Sequence, residues 1–405
     1  MLDQMDNQYQ MYKTLHAVGA GLDGDLHEFT ITQDDTAIIT IYHTIPFDLS
    51  DSNVSGADNK DTYISESMFQ EIDIETNELL FQWRAIDHIP LDANLRGPGD
   101  RGSTLETAWD WFHINSVEKD PDGNYLISSR YTHALYYIDG RSGDIIWSLG
   151  GTSYESYDFT DLSGGRATSL ARQHHARWAD NYTAITVFDN GDDVDPQLWR
   201  SRGMKVAVDT TNMTVKVLAE AYHPDNYTTY SQGSTQQLDN GNLLVGWGNT
   251  GAFTEFSSDG REVLCDWQYE ALFSGENGTW DAGKVESYRV FLRQWKGYPQ
   301  DVPVVAYVED EKAFYVTWNG ATELRHWRLE GRSDISANTE SWELVSQFAR
   351  AGFESNVTLG DEPYDMFRLT ALDAYMETLG CWSVQLDGTV TVNENVLHEK
   401  MSMQY

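Results

Sequence analysis

The sequence predicts an all-β protein: a β-propeller of four-stranded antiparallel blades, followed by a second all-β unit. Three observations predict it. Four segments repeat one plan, in which a first strand, a polar turn and an apolar strand are followed by two more strands. Within each segment, β-branched and aromatic residues alternate around Asp, Asn and Gly turns, which is hairpin chemistry. Helical periodicity is weak throughout.

The first repeat opens at Leu26 with LHEFTITQDDTAIITIY and continues in MFQEIDIETNELLFQWRA. Between them, DLSDSNVSGADNKDTY reads as an extended polar loop. The second opens at Phe112 (FHINSVEKDPDGNYLISSRY) and continues in ALYYIDGRSGDIIWSLGG. The third opens at Gln173 (QHHARWADNYTAITVFDN) and continues in KVAVDTTNMTVKVLAEAY; the fourth opens at Gln232 (QGSTQQLDNGNLLVGWGN) and continues in FTEFSSDGREVLCDWQY. Taking His27, His113 and His174 as equivalent gives spacings of 86 and 61 residues. A β-sandwich with long hairpins is the rival reading, but it leaves the recurring first strand unexplained. The propeller is assigned to residues 1–300, with five or six blades. Past residues 299–303, the runs KAFYVTWNGATELRHWRLEG, SWELVSQFARAGFESNVTL and MFRLTALDAYMETLGCWSVQL predict a fibronectin type III-like sandwich over 301–405, with a final blade as the alternative. Trp109, Trp111, Trp147, Trp178 and Trp247 are expected to fill the gaps between blades, with one or two available to stack on an aromatic ligand.

The chain has 405 residues, 27 Lys and Arg against 64 Asp and Glu, and a net charge of −37. Such a surface repels polyanions, so nucleic acid and anionic lipid are excluded as partners. No run approaches the ~18 consecutive apolar residues of a membrane span. Asn-x-Ser/Thr occurs at Asn53, Asn181, Asn212, Asn226, Asn277 and Asn356, each in a polar stretch, and favours the secretory pathway. The opening MLDQMDNQYQMYK is no signal peptide, so the signal is expected to have been removed or the chain to begin part-way into a longer protein. Cys265 and Cys381 are too few and too distant for a zinc motif, and either pair or stay as two thiols. A closed propeller carrying surface glycans is expected to be monomeric.

In a propeller the first strand of each blade lines the central channel. His27, His113 and His174 (or its neighbour His175) stand at the start of that strand in three successive repeats and are therefore predicted to converge at one mouth. Asn115, two residues past His113, and Arg130, at the close of the next strand, face the same space. Neutral imidazole serves as nucleophile or base, and Arg offers a planar fork for an oxyanion. Three histidines also suggest a metal. However, an Arg beside a divalent cation is unfavourable, no carboxylate recurs at matching positions, and Glu28 alternates to the opposite face. The site is read as free of metal and cofactor.

These residues resemble the arylsulfotransferase family in its fungal branch. The likeness is carried by LHEF from Leu26, DWFHINSVEKDPDGNYLISSR from Asp110, IDGRSGDIIWSLGG from Ile138, QHHARW from Gln173 and VFDNG from Val187. SQGSTQQLDNGNLLVGWG from Ser231 and WNGATE from Trp318 extend it. Family members usually carry another blade before LHEF, of which QYQMYKTLHAV reads as a remnant. The resemblance implies sulfuryl transfer between phenols without a nucleotide donor. It places the nucleophile on His174, with His27, His113, Asn115 and Arg130 polarising the sulfuryl oxygens. His175 stands where the family commonly has Asp, and Tyr131 where it often has His; both, with Trp111, are expected to shape substrate binding.

Three functions follow for a small phenolic or aromatic substrate. The first is sulfuryl transfer through His174. The second is a cofactor-free cyclisation or hetero-Diels–Alder addition to a quinone methide in fungal natural-product assembly, which needs mainly orientation. The third is a non-catalytic secreted binding module.

Overall fold

The Asp-rich turns close hairpins by accepting backbone N–H groups. Asp120 Oδ1 takes the amides of Asp122 and Asn124 at 2.9 Å, and Asp139 and Asp209 do the same for the residues two and three positions on. With register set this way, the alternating runs on either side pair antiparallel. The computed structural model describes residues 2–50, 54, 62–151, 158–191, 200–226, 228–269, 287–333, 342–360, 364–385 and 389–392.

Two compact units result, one built from Leu15–Leu292 and the other from Asp3–Thr14 with Arg293–Tyr405. The first unit carries four antiparallel sheets in chain order. The first sheet is Gly24–Ile31, Thr36–Phe47, Thr62–Asp73 and Leu79–Arg84; the second is Ile114–Lys119, Tyr125–Ser129, Ala134–Ile138 and Ile145–Gly150. His174–Ala179, Ala184–Asp189, Arg202–Asp209 and Thr214–Ala221 form the third, and Ser234–Gln237, Leu243–Gly246, Ala252–Phe256 and Val263–Gln268 the fourth. These are the four predicted repeats, each a meander of four strands. Two short parallel strands, Trp109–Asp110 and Thr160–Asp161, add to the first and third sheets.

Successive sheets bury one face against the next. Phe69, Trp83, Trp109 and Trp111 of the first sheet and its connection meet Ile127 and Tyr136 of the second. Trp147 and Leu149 meet Val187 and Val206 of the third. Phe188 and Ala219 in turn meet Val245 and Trp247 of the fourth. Layered meanders packed in sequence are the construction of a propeller. Among the described residues the unit has four such sheets, not the five or six expected.

The inner strands of the first three sheets share a departure from ideal pairing. Register shifts fall between Gly24 and Phe29, between Ile114 and Ser116, and between His174 and Arg177. The first and third shifts span their histidines and the second begins one residue past His113, and bulges commonly re-aim side chains at sites. His113 and His175 have φ of 57° and 54°, in the left-handed region. The fourth inner strand pairs without a shift.

The second unit holds a three-stranded sheet (Val304–Val308, Ala313–Thr317, Glu354–Thr358) and a five-stranded one built on His326–Arg332, Glu343–Ala349, Met366–Leu372, Thr378–Val384 and Val390–Val392. Phe314, Val316 and Val357 from one share a core with Trp327, Leu369 and Trp382 from the other. Of the N-terminal segment, Asp3–Thr14 belongs here, whereas Leu15, Ala17 and Val18 pack on the first sheet of the other unit. Tyr9 donates to the Gly320 carbonyl at 2.9 Å, and the Trp295 indole donates to the Tyr9 oxygen at 3.1 Å. Both cysteines are free thiols. Asn181, Asn212, Asn226 and Asn356 are exposed; Asn53, Asn277 and most of the polar loop after Phe47 lie outside the described residues.

Candidate active site at the inner strands

His27 and His113 meet as predicted, with ring centroids 4.7 Å apart and planes nearly perpendicular. Each is backed by a carboxylate: Nδ1 of His27 bonds Asp25, and Nδ1 of His113 bonds Asp110. Both imidazoles keep 17% of their side-chain surface open. The phenol of Tyr42 lies against both, 5.1 Å from His27 and 5.5 Å from His113, and its hydroxyl is spent on the Ile114 carbonyl at 2.6 Å. Burial lowers the His113 pKa, and Asp110 opposes that without reversing it. Burial, reinforced by the charges of Asp110 and Asp25, pushes the Tyr42 phenol well up.

His174 sits deeper, only 2% exposed. Its Nδ1 bonds Asn190 Oδ1 at 2.6 Å, while Nε2 accepts the Gln232 backbone N–H at 3.3 Å. An amide oxygen accepts only, so the proton is assigned to Nδ1 and the lone pair to Nε2. Asn190 is held in turn through Nδ2, which donates to the Thr229 and Gln232 carbonyls at 2.9 Å. Gly233 permits the approach of this loop: a Cβ there would lie 2.2 Å from the Phe188 ring. Burial drives the His174 pKa well below the ordinary imidazole value, and the charges of Arg130, His113 and Arg289 lower it further. The ring is therefore neutral at pH 7.

The Tyr288 ring closes the gap between the dyads and His174. It stands edge-on to both, 5.9 Å from His27 and 6.4 Å from His174. It belongs to an extended strap, residues 288–292, pinned along the inner strand of the fourth sheet. Tyr288 O takes the Gly233 N–H at 2.9 Å, Ser234 Oγ bonds both backbone groups of Val290, and Gln236 bonds both of Leu292. Arg289 reaches from the strap to the carbonyls of His27 and Asn115 at 2.8 and 2.6 Å, and to Glu28 at 2.9 Å.

Glu28 corrects the sequence reading. Strict alternation sends it to the opposite face, yet the bulge turns it inward. It is 2% exposed and bonds Arg289, Arg177 and the Val117 N–H. Burial alone would raise its pKa, but the two guanidinium charges outweigh that and hold it low. The carboxylates that do recur beside histidines, Asp25 and Asp110, stand two and three residues before them. They were legible as D-x-H and D-x-x-H.

The remaining predicted residues divide. Arg130 donates to the Tyr230 carbonyl at 3.0 Å, and its guanidinium carbon lies 4.9 Å from the Tyr131 ring, which itself meets His113 at 5.2 Å. Both belong to the cluster. Asn115 is fully buried and donates to the Gln173 carbonyl at 2.8 Å. His175 turns from the dyads to pack on Phe291 of the strap at 5.2 Å. Trp111 is a correction. The short strand through Asp110 sends Trp109 and Trp111 into the core, where Trp111 is fully buried against Phe112 and reaches no histidine. Asn190, Tyr42 and Tyr288–Arg289 went unnoticed: Asn190 lay inside the quoted VFDNG run, whereas the strap carries no repeat signal.

The site thus combines a neutral imidazole whose Nε2 lone pair accepts a long Gln232 N–H contact, two carboxylate-backed histidines, two guanidinium groups and three phenols. Groups of the kinds that can serve as nucleophile, proton carrier and oxyanion donor stand within one cluster. The profile of the arylsulfotransferase (ASST) family matches residues 4–269. The chain belongs to that family. No curated protein matches the chain. Solved structures similar to it include a protein of unknown function from Bacteroides caccae (11% identity, covering 80% of this chain and 88% of that one, TM-score 0.30). Another is the Cps50 (Swd1) β-propeller domain of Myceliophteria thermophila (10%, 86% and 84%, TM-score 0.29). A third is a catalytically inactive virginiamycin B lyase from Staphylococcus aureus with quinupristin (9%, 93% and 86%, TM-score 0.34). At such scores none of them bears on the site.

Proposed function

We propose that the protein transfers a sulfuryl group from an aryl sulfate to a phenol through His174. The observation that carries this reading is the state of that ring. Its proton is fixed on Nδ1 by Asn190, burial keeps it uncharged, and the Nε2 lone pair is engaged only by the long Gln232 N–H contact of 3.3 Å, which an incoming sulfuryl group has to displace. In the first half-reaction the Nε2 lone pair forms the N–S bond, the S–O(aryl) bond breaks, and its electron pair leaves on the phenolate. In the second, the acceptor phenol loses its proton and its oxygen attacks sulfur, and the N–S pair returns to Nε2. The His113–Asp110 dyad is suited to take that proton. Arg130 and the histidines supply donors where negative charge gathers on the sulfuryl oxygens. Two half-reactions predict ping-pong kinetics.

The test is a chromogenic aryl sulfate with a phenol acceptor, read by turnover and by mass spectrometry of His174. His174→Ala is expected to lower turnover by more than about 10³-fold. Absence of turnover and of a modified His174 in the wild-type protein sinks the reading.

A second reading is favoured by the ring of Tyr42, Tyr131 and Tyr288 around the dyads, which suits a flat aromatic partner. On it, the family scaffold is repurposed in a fungal pathway for cyclisation or quinone-methide cycloaddition, and His174→Ala slows product formation without abolishing it. A binding module without turnover is the third reading. With either catalytic reading we place the protein in the secretory pathway as a glycosylated monomer, and take its second unit as a fibronectin type III-like sandwich. The exposure of four acceptor asparagines supports the glycans. A mobility shift on enzymatic deglycosylation of the protein from its native source checks them.

A further inference from the structure

The Tyr288 hydroxyl is the unexplained group of the cluster. Its oxygen is buried and makes no hydrogen bond of regular geometry among the described residues; the Arg289 guanidinium is close enough to lower its pKa, but is itself committed to the carbonyls of His27 and Asn115 and to Glu28. A buried hydroxyl is ordinarily paired, so one left open at a site marks a place for a ligand atom. The ring that carries it is not loose, because the strap is bonded to Gly233 at Tyr288 itself and to Ser234 and Gln236 at Val290 and Leu292 just after it. Tyr42 makes the contrast: it faces the same two histidines, but its hydroxyl is already committed to the Ile114 carbonyl.

We propose that Tyr288 is a catalytic residue that donates a hydrogen bond to the aryl oxygen as the S–O bond breaks. The proposal rests on the sulfuryl-transfer reading. Tyr288 lies between His27 and His174, so a sulfuryl group in transfer to Nε2 has its departing oxygen within the space this ring borders. The bond pair moves onto the aryl oxygen and Tyr288 keeps its proton; the phenolate takes a proton from solvent after release. Burial pushes the Tyr288 phenol up to about 12 against the pull of Arg289, so it remains a donor throughout the neutral range. The residue lies beyond the family-matched stretch of 4–269.

A donor to the leaving oxygen matters most when that oxygen is basic. The test compares Tyr288→Phe with wild type over a series of aryl sulfates running from 4-nitrophenyl sulfate to phenyl sulfate. Losing one such donor is expected to cost about 10²-fold in kcat/KM on phenyl sulfate, and only a few-fold on the activated donor. The substitution removes an atom that makes no regular hydrogen bond among the described residues, so folding should survive; Tm and circular dichroism check that. Tyr42→Phe is the comparator, with a loss that does not depend on the leaving group. Equal loss across the series in Tyr288→Phe, or no loss, overturns the proposal while the sulfuryl reading stands. If wild type turns over no aryl sulfate, the reading itself falls and takes this role with it.

Discussion

Behind His174 stands an amide where a carboxylate would change the chemistry. A carboxylate at Nδ1 in general favours imidazolium, whereas Asn190 holds the neutral ring in one tautomer. Removing it in Asn190→Ala frees the proton to sit on Nε2, where it blocks the lone pair. Loss of a buried hydrogen bond worth ~1–3 kcal/mol corresponds to a roughly 5- to 150-fold slower donor half-reaction, measured as the burst of phenolate. The same burial sets a pH dependence of stability. His174 and His113 have folded pKa values below the unfolded imidazole value of about 6.5. Below that pH the unfolded chain takes up protons that the fold refuses, so stability falls with acid and is fully present above it. Urea midpoints between pH 8 and 5 should decline, and less so in His174→Phe.

At the scale of elements, the inner strands are held at the axis by a side-chain tie. Glu28 of the first sheet bonds Arg177 of the third, Arg289 of the strap and the Val117 amide of the second. Glu28→Gln leaves two buried guanidinium groups short of a counter-charge. Breaking a buried pair costs about 3–5 kcal/mol, which a urea titration reads directly. Because its folded pKa is lowered, the stabilisation from Glu28 is present above the ordinary carboxylate range and lost as pH falls through the folded value. The strands themselves were legible, since alternation and Asp turns fix a hairpin locally. So were His27 and His113, because equivalent positions in a repeat must meet. Glu28 was misread because period-two reasoning cannot see a bulge, which is a property of pairing between strands. Tyr288 and Arg289 were invisible because a strap without ladder bonds has no period, and its partners lie far away in sequence.

The whole molecule carries a charge of −37, while the cluster itself holds Arg130 and Arg289, with Arg177 tied to Glu28. The two fields act over different ranges. Arg177 and Arg289 lie inside the fold, where salt reaches them poorly, and act on whatever has already entered. The net charge acts on approach, and it repels an anionic donor before the site can be felt. Screening shortens from about 30 Å at 0.01 M salt to about 8 Å at 0.15 M. Added salt should therefore raise kcat/KM for an aryl sulfate several-fold over that range, the reverse of a site with an attracting exterior. A neutral phenol acceptor meets no such barrier, so its kcat/KM should stay flat. In a ping-pong scheme each substrate's kcat/KM is read separately, and the two slopes can be measured on one preparation. A falling slope for the aryl sulfate would mean that the cationic groups, and not the acidic exterior, govern entry.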